Sequence, residues 1–509
     1  MFKNYIMNQV VLPLDLEIKL QKNDIAFSVH DLVEQIPHEA FDSFIRSTGC
    51  PAYHPRMMMK IILCAYTQSV FSGRKIEALL GDSVRMMWLA QGHEPSYRTI
   101  NRFRVCPEVK ALLRECFVQF RCHLVKEKHI DDEAIFIDGT KLEDYSAGLI
   151  ERSNQLYDEL VEKEIIPEIE RESPEVLSTK ELAKVVGKLE DTVDELTTTI
   201  ESSKDVSERK QLRSARKMPK QLLKQFKDFV ARKQKYEQAM ATFGTRNSYS
   251  KTDRDATFMR MKDDYMKNGQ LKAGYNVQIA SEGQYALAYD VFPNPTDTRT
   301  FIPFLNTIEN HFFTLPKYIV ADAGYGSEEN YEDVFENRTA TPLITYNMYR
   351  KEKTKRAQKN TFNTANWKYD EETDSFTCPN NQQLTFRHLS QKTDRNGFSR
   401  EFKVYECESC TGCPFRSECT KAKEGNHRKL LLNVKWEQQK EKIRTLLSDE
   451  KTGEIYGRRK IDVEPVFGFL KANLGFTRLS VRGQERVQNE MGFALMAVNL
   501  RKLTARNAT

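Results

Sequence analysis

The sequence has no apolar run long enough to cross a membrane. Its longest runs, such as residues 61–66 and 493–498, fall far short of the roughly 20 residues that a transmembrane helix needs. Residues 1–16 also lack the continuous apolar core of a secretory signal. We therefore expect a cytoplasmic protein with no membrane partner, whose ten cysteines are reduced unless they bind metal.

The sequence also has little excess charge of either sign. It contains 78 Lys and Arg against 72 Asp and Glu, so the net charge is only +6 over 509 residues. A charge this small does not by itself indicate nucleic-acid binding. The distribution is more informative, because residues 209–235 hold eleven Lys or Arg and one acid, whereas residues 162–201 are rich in acids. The basic segment is either a solvated helix face or a surface that contacts phosphates.

No serine, tyrosine or cysteine nucleophile motif stands out, but three segments carry carboxylates. Residues 135–141 (Ile-Phe-Ile-Asp-Gly-Thr-Lys) and 318–325 (Tyr-Ile-Val-Ala-Asp-Ala-Gly-Tyr) each predict a buried strand that ends on an aspartate. Residues 463–471 (Val-Glu-Pro-Val-Phe-Gly-Phe-Leu-Lys) predict a helix opened by a glutamate. An aspartate at a strand end often only caps a turn. Two of them with a helical glutamate can converge on a divalent metal, because Mg²⁺ requires hard oxygen ligands.

The chain divides into six predicted segments with an α/β core. They are an N-terminal helical DNA-binding domain (1–125), the first part of the core (126–148), a helical coiled-coil insertion (149–245), the core continued (246–375), a Cys-rich insertion (376–425) and the C-terminal part of the core with the glutamate helix (426–509).

Heptad spacing predicts the helical insertion. One arm carries apolar residues at the 4-3-4-3-4 intervals of a coiled-coil seam, namely Leu182, Val186, Leu189, Val193, Leu196 and Ile200. The second arm carries Leu222, Phe226, Phe229 and Tyr236 at compatible spacing. An antiparallel helical hairpin is the simplest structure that satisfies both patterns.

Residues 97–104 (Tyr-Arg-Thr-Ile-Asn-Arg-Phe-Arg) resemble the second helix of a helix-turn-helix. Ser96 is the predicted N-cap, and Ile100 and Phe103 are expected to face a core. The residues expected to point outward toward a DNA groove are Arg98, Asn101, Arg102 and Arg104. An ordinary basic amphipathic helix gives the same pattern, so both interpretations stay open.

Half of the cysteines lie in one short part of the chain, at Cys378, Cys407, Cys410, Cys413 and Cys419. Gaps of two residues in a sequence otherwise poor in cysteine indicate a tetrahedral zinc site. Five thiols exceed the four that one site needs, so the ligand set is ambiguous. An iron–sulfur cluster and cysteines without metal are the alternatives.

Taken together, these motifs resemble those of bacterial insertion-sequence transposases of the DDE type, in particular the group named after insertion sequence 1182, which is related to the insertion-sequence-4 and -5 types. The similarity runs from about Leu14 to Leu503 and includes residues 53–57 (Tyr-His-Pro-Arg-Met), 97–104 and 274–278 (Gly-Tyr-Asn-Val-Gln). The resemblance implies a ribonuclease-H-like catalytic core. It also implies that the catalytic triad, which binds the metal, is Asp138, Asp322 and Glu464.

The resemblance further implies the reaction and the partners. Such an enzyme hydrolyses a phosphodiester at the end of its element, and the freed 3′-hydroxyl then attacks a second phosphodiester. Two Mg²⁺ ions per active site, or Mn²⁺ as a substitute, would activate the nucleophile and stabilise the leaving oxygen. The expected partners are double-stranded DNA, as terminal inverted repeats and as target, and a second copy of the chain in a dimeric synaptic complex. A domesticated DNA-binding protein without catalysis and a stand-alone metal-dependent nuclease are the alternatives.

The family's motif Tyr-x2-Arg-x3-Glu-x6-Lys is matched only in part. Glu464 and Lys471 fit it, whereas Tyr456 and Arg459 lie one residue too far from the glutamate and Lys460 takes the arginine's register. In an uninterrupted helix, one extra residue is a rotation of about 100°. We therefore expect the helix to begin after the arginine, with a glycine in the preceding turn. Tyr456, Arg459 and Lys471 are then candidate DNA contacts.

Four further polar residues are weaker candidates. Asp253 and Asp255 either approach the site or cap a turn. Asp297 is predicted to cap a helix over residues 296–311. Tyr325 either reaches the scissile phosphate, stacks on a base, or packs in the core.

Overall fold

The computed structural model describes residues 20–45, 52–143, 179–243, 246, 248–261, 271–394, 396–423 and 425–507. The chain forms two compact units, one from residues 1–145 and 255–509 and the other from residues 146–254. In the described ranges, no helix combines the length and the apolar content needed to span a bilayer.

The N-terminal part of the first unit is helical, as predicted. Its helices are α1 (Ile25–Glu34), α2 (Pro55–Thr67), α3 (Gly73–Asp82), α4 (Val84–Ala90), α5 (Tyr97–Arg104) and α6 (Glu108–Lys126), with a 3-10 turn at His38–Phe44. Pro55 opens α2 and its missing N–H costs no hydrogen bond there, which confirms the prediction for this proline. Every residue of α2 is buried.

Two buried cations fasten α2 to α1. Arg56 donates to the carbonyls of Val33 at 3.0 Å and Ile36 at 2.7 Å, in the last turn of α1 and just beyond it. The Val33 carbonyl also accepts a 3.3 Å hydrogen bond from the Ile36 N–H. Lys60 is fully buried and donates to Glu34 Oε1 at 2.5 Å. The arginine in the family-like segment 53–57 therefore has a structural role.

The second unit contains the helices α7 (Thr179–Ser202) and α8 (Val206–Phe243). Lys227 forms an ion pair with Glu190 at 2.5 Å, and Arg216 donates to Thr197 Oγ1 at 2.9 Å. The later residue of α7 thus contacts the earlier residue of α8, and the earlier residue of α7 contacts the later one of α8. The two helices run antiparallel, in agreement with the predicted hairpin.

Four of the predicted seam side chains on α7 are among those that the structure describes. The seam side chains that the structure describes are at least partly buried, and they are Val186, Val193, Leu196 and Ile200. The remaining seam side chains lie outside the described ones, and they are Leu182, Leu189, Leu222, Phe226, Phe229 and Tyr236. Supercoiling of the pair stays a prediction.

A mixed sheet forms the centre of the first unit. Its strands are β1 (Ala134–Glu143), β2 (Thr257–Arg260), β3 (Leu271–Glu282), β4 (Tyr285–Phe292), β5 (Tyr318–Ala321) and β6 (Thr341–Ile344). The order is β2-β3-β1-β5-β6, and β4 also pairs with β3. β1 is antiparallel to β3 and parallel to β5, which is parallel to β6. The strand that carries Asp138 is therefore central, as expected.

Helices connect and cover this sheet. After β4 come α9 (Phe301–His311), α10 (Glu328–Asn337), α11 (Tyr349–Glu352), α12 (Lys355–Gln358), α13 (Arg416–Cys419), α14 (Val434–Ser448), α15 (Glu450–Gly457), α16 (Arg459–Gly468) and α17 (Gln484–Asn507). α17 packs against β4, α2 and α6, so the last helix joins the N-terminal helices to the sheet.

A second sheet of five antiparallel strands was not predicted. Its strands are β7 (Lys368–Asp370), β8 (Ser375–Thr377), β9 (Gln383–Thr393), β10 (Ser399–Cys407) and β11 (Lys429–Leu432), in the order β11-β10-β9-β8-β7. Its buried core includes Trp367, Phe376, Leu384 and Tyr405. The sheet begins before residue 376 and ends after residue 425, so it encloses the predicted Cys-rich insertion.

Arg104 does not point outward, and that prediction is wrong. Its side chain is 4% exposed and forms an ion pair at 3.0 Å with Glu490, which is 2% exposed. It also donates to the Phe71 carbonyl at 2.6 Å and to Ser480 Oγ at 2.8 Å. The arginine therefore joins α5 to α17 inside the protein and is not a DNA contact.

Replacing Arg104 with alanine should lower the free energy of unfolding of the protein. The substitution leaves the Glu490 carboxylate buried without its cation, and breaking a buried pair in this way costs about 3–5 kcal/mol. Urea unfolding measures the change in the free energy of unfolding. Arg102→Ala, on the exposed face of the same helix, is the control and should change it by less than about 0.5 kcal/mol. Equal effects of the two substitutions would contradict the buried ion pair.

Candidate active site

Parallel pairing of β1 and β5 brings two of the predicted aspartates side by side. Ile137 lies opposite Ala321 in the register of these strands. Asp138 and Asp322 are the next residues in each chain segment, so they occupy neighbouring positions at the same edge of the sheet. Both are only partly buried and thus accessible to a ligand.

Asp138 does not end its strand, contrary to the prediction. β1 continues to Glu143, and the Gly139 N–H donates to Asp138 Oδ1 at 2.8 Å. A Cβ at Gly139 would lie 2.3 Å from Gln278 Nε2 and 2.9 Å from Asn276 Oδ1. The glycine is required for side-chain packing across the sheet and not for a turn, which is why its position after the aspartate was misleading.

Asp322 follows the end of β5, as predicted. Its Oδ1 accepts a hydrogen bond of 2.8 Å from the Gly324 N–H, so the short turn after the strand holds the carboxylate. The Gly324 carbonyl in turn accepts from Thr298 Oγ1 at 2.8 Å. This contact ties the turn to the segment that precedes α9.

Asp297 lies at the same edge, although it was predicted to cap a helix. Its Oδ1 accepts hydrogen bonds from Asn276 Nδ2 at 2.8 Å and from Gln278 Nε2 at 3.1 Å. The residue belongs to a 3-10 turn, Asp297–Arg299, and Thr300 is the N-cap position of α9. The capping prediction is wrong because the two amides of β3 bind the carboxylate instead.

A buried network fixes the direction of these amides. The Tyr325 hydroxyl donates to Gln278 Oε1, so Nε2 is the end that faces Asp297 and Asn276 Oδ1. Asn276 Oδ1 accepts the hydrogen bond from Gln278 Nε2. The other end of the same amide, Asn276 Nδ2, therefore donates to Asp297 and to the Asn294 carbonyl. Both amides and the hydroxyl are thus satisfied in one orientation, which matters because buried polar groups without partners are costly.

Tyr325 is therefore a structural residue. It is fully buried, packs on Phe301 with ring centroids 5.6 Å apart, and cannot stack on a base, which removes that alternative. Burial, followed by the negative charges of Asp297, Asp138 and Asp322, raises the pKa of its hydroxyl well above the usual value. The hydroxyl stays protonated and donates, and the three named carboxylates lie around it.

The sequence did contain a signal for this network. Asn276 and Gln278 are two residues apart on a strand, so their side chains lie on one face. In the register of β1 and β3, Gln278 lies opposite Gly139. Two amides on one face of a buried apolar strand, opposite the glycine after a candidate aspartate, indicate a polar cluster that must be satisfied internally.

Glu464 lies on α16, which packs against β1 and β3. The start of this helix is anchored by Asp462, which is buried and accepts backbone hydrogen bonds from Gly283 and Gln284. Glu464 itself is exposed. Across the described ranges, no three His, Cys, Asp or Glu side chains are grouped closely enough to hold a metal ion. The glutamate therefore stays a predicted member of the triad.

A helix boundary separates Tyr456 from Glu464, as the motif required. α15 ends at Gly457 and α16 begins at Arg459, so the arginine opens the second helix and does not precede it as expected. The Tyr456 hydroxyl lies 3.1 Å from Thr345 Oγ1. Thr345 directly follows β6, whose last residue pairs with Ala321, so this tyrosine reaches the edge that carries Asp322.

Lys471 lies in a π-helical turn, Phe469–Asn473, and not in a continuous α-helix. The Leu474 N–H bonds to the Phe469 carbonyl at 3.0 Å, a five-residue step. Such turns are rare and often occur at functional sites. The wider turn alters the direction of Lys471 relative to Glu464 from that of an ideal helix.

The remaining N-terminal candidates lie on the exposed face of α5, namely Arg98, Asn101 and Arg102. Ser96 caps this helix, as predicted, by accepting a 3.5 Å hydrogen bond from the Thr99 N–H. Ile100 is fully buried, and α5 packs against α3. Three of the four predicted groove-facing residues are thus accessible.

The clustered cysteines gather in the second sheet. Cys407 and Cys410 belong to its buried core, and Cys378 and Cys419 pack against them as free thiols. Burial raises the pKa of the Cys407 thiol to about 12. The described cysteines are close together but are not arranged as a metal site.

Asp255 acts as a cap. Its Oδ2 accepts a 3.0 Å hydrogen bond from the N–H of Gln484, the first residue of α17. Of the two earlier interpretations, capping is the one that the structure supports for this residue.

Two parts of the chain match known protein families. Residues 377–504 match the family described as Transposase DDE domain, and residues 14–106 match the family described as Transposase domain (DUF772). The first match contains Glu464 and the second contains α5. No significant match was found among curated proteins or among solved structures.

Removing the Tyr325 hydroxyl should destabilise the protein. Tyr325→Phe leaves the buried Gln278 Oε1 without its donor, which costs about 1–3 kcal/mol of unfolding free energy. Urea unfolding of the variant tests this. Tyr369→Phe is the matched control, because its hydroxyl bonds Asp374 at an exposed position, and it should cost less. A control that costs as much as Tyr325→Phe would show that the buried network is not the cause.

Proposed function

The two family matches indicate a DDE transposase of the insertion-sequence type, and from this premise we propose that the chain cuts DNA at the ends of its own element and joins them to target DNA. The partners are double-stranded terminal inverted repeats and target DNA, held by a dimer of the chain. The match over residues 14–106 fits the insertion-sequence-1182-like group.

One observation carries this proposal. Asp138 and Asp322 stand at neighbouring positions on two parallel strands, where both can bind the same cation. Asp297 lies near this pair, since the charges of all three carboxylates act on the Tyr325 hydroxyl, but the three are not grouped closely enough to hold a metal ion by themselves. Neighbouring like charges destabilise one another unless a cation neutralises them. A central β1 with an antiparallel neighbour on one side and parallel strands on the other also supports a ribonuclease-H-like core.

In the proposed mechanism, carboxylates hold the metal. Asp138, on the central strand, Asp322 and Glu464 would hold the Mg²⁺ ions. Bound there, the ions would supply activation of the attacking oxygen and stabilisation of the leaving oxygen. Tyr456 and Arg459 would hold the strand beside the scissile phosphate, and Lys471 would contact a phosphate.

Two alternatives use the same fold. A stand-alone nuclease would need the carboxylate edge but not the N-terminal domain, and the match over that domain favours a transposase. A domesticated DNA-binding protein would have no need for the intact Asp138 and Asp322 pair. Cleavage of the DNA that flanks the coding region, with Mg²⁺ or Mn²⁺, separates the three.

Substituting the triad should abolish cleavage and preserve DNA binding. Asp138→Asn, Asp322→Asn and Glu464→Gln each remove a metal ligand and little surface. Cleavage of a labelled end should fall by more than about 100-fold, the upper range for residues that only support a metal ligand. The control is Glu454→Gln, an exposed glutamate on α15, which should cut normally. Near wild-type cleavage by one triad variant would show that this residue is misassigned.

The helix boundary before Glu464 predicts a difference between two neighbouring cations. Arg459→Ala should reduce cleavage strongly, because this partly buried arginine opens α16 directly after the boundary and is the residue that the resemblance assigns to the DNA strand. Lys460→Ala, at an exposed position, should reduce it only mildly. Parallel cleavage assays compare the two, and a larger defect for the lysine variant would contradict the assignment.

We also propose a structural zinc in the second sheet. The support is the two-residue spacing of Cys407, Cys410 and Cys413 and the proximity of Cys378 and Cys419. About one zinc per chain should co-purify, and Cys410→Ser should lose it and lower the melting temperature. Cys122→Ser, an exposed cysteine on α6, is the control. Freshly reduced protein without zinc would end the proposal, and iron in its place would indicate a cluster.

A further inference from the structure

A stripe of basic side chains runs along α8, and the proposed active site does not use it. The stripe residues follow one another at 3-4-3-4-3 spacing and are all exposed, namely Lys210, Arg213, Lys217, Lys220, Lys224 and Lys227. Side chains three and four residues apart lie on one face of a helix. At 1.5 Å per residue, the stripe is about 26 Å long.

The stripe is distinct from the face of α8 that packs against α7. That face is offset by one residue and consists of partly buried positions, namely Leu212, Arg216, Pro219 and Leu223. Arg216 uses its guanidinium to bond Thr197 across the hairpin. Packing of the hairpin therefore does not require the stripe cations.

Among the side chains that the structure describes, only one stripe residue forms an ion pair within the hairpin. Lys227 pairs with Glu190. For the other five, the described part of the chain shows no ion pair, although α7 carries exposed acids such as Asp191 and Glu195. Like charges at intervals of three and four residues destabilise a helix. A row of them is favourable only if an anion of matching length neutralises it.

We propose that this stripe binds the phosphate backbone of double-stranded DNA without regard to sequence. One DNA strand carries a phosphate for about every 3.4 Å of the helix axis, so the stripe matches the axial length of roughly seven or eight base pairs. Five of its six cations are lysines, which act as point charges and do not specify bases. Because target DNA varies in sequence, this surface suits the target better than the element ends. The choice of DNA as the anion rests on the proposed function.

The test is the salt dependence of DNA binding by the full-length chain. The variant Lys217→Gln, Lys220→Gln, Lys224→Gln removes three cations, and the matched control replaces the same lysines with arginine. Each protein is titrated with duplexes of two unrelated sequences, in chelator, between about 50 and 200 mM salt. Chelator removes cleavage from the assay, so binding alone is measured.

In the glutamine variant, the fall of log affinity with log salt should be less steep, with the magnitude of the slope reduced by about 2–3 and equally for both sequences. The arginine variant should keep the wild-type slope. An unchanged slope in the glutamine variant overturns the proposal, as does a loss confined to one sequence or shared by the arginine variant.

The same measurements separate this proposal from the proposed function. Asp138→Asn protein should bind with the wild-type slope, because it retains the stripe. If wild-type protein cleaves element ends but the glutamine variant keeps its slope, only the stripe is overturned. If the slope falls but wild-type protein never cleaves DNA with Mg²⁺ or Mn²⁺, the stripe stands and the transposase activity is overturned.

Discussion

The parallel pairing of β1 with β5 is the constraint on which the candidate site depends. It sets Ile137 opposite Ala321 and so places Asp138 and Asp322 next to each other. Side chains alternate between the two faces of a sheet, so a slip of one residue would send one aspartate to the opposite face. The fully buried residues of both strands oppose that slip, because each side chain would have to be repacked into the core on the opposite face of the sheet. The geometry of the candidate site is thus enforced by ordinary core packing.

Carboxylates placed near one another repel, and the surrounding residues reduce this repulsion by hydrogen bonding to one of them. Two buried amides, Asn276 and Gln278, turn their N–H groups toward Asp297, and Tyr325 fixes the direction of the second amide. Gly139 leaves the space that these amides need. The arrangement neutralises one carboxylate in part and leaves Asp138 and Asp322 accessible. If a divalent cation binds here, as we propose, it would reduce the remaining repulsion and stabilise this part of the sheet.

The sequence predicted features whose causes are local. The strand at Tyr318–Ala321, the cap at Ser96 and the first-turn proline Pro55 all follow from neighbouring residues. Prediction from the sequence failed for residues whose hydrogen-bond or ion-pair partner is distant in the chain. Arg104 matched an outward-facing pattern, but Glu490, 386 residues away, holds it inside. Asp297 matched the pattern of a helix cap, but the amides that bind it lie on β3. In the second sheet, β7 and β8 have only three residues each, and the longer β9 is mostly exposed, so neither shows a clear alternation of buried and exposed residues.

A transposase must meet two kinds of DNA, and the described residues offer two kinds of contact. Element ends have a defined sequence, which exposed side chains such as Asn101 and Arg102 on α5 would distinguish through base edges in the proposed function. Target DNA has no defined sequence, so its recognition must rely on phosphates, which report position but not identity. In our proposal, lysines such as Lys220 on α8 would supply that contact. A net charge of only +6 does not argue against this, because the positive charge is concentrated on the stripe and is balanced elsewhere by acids.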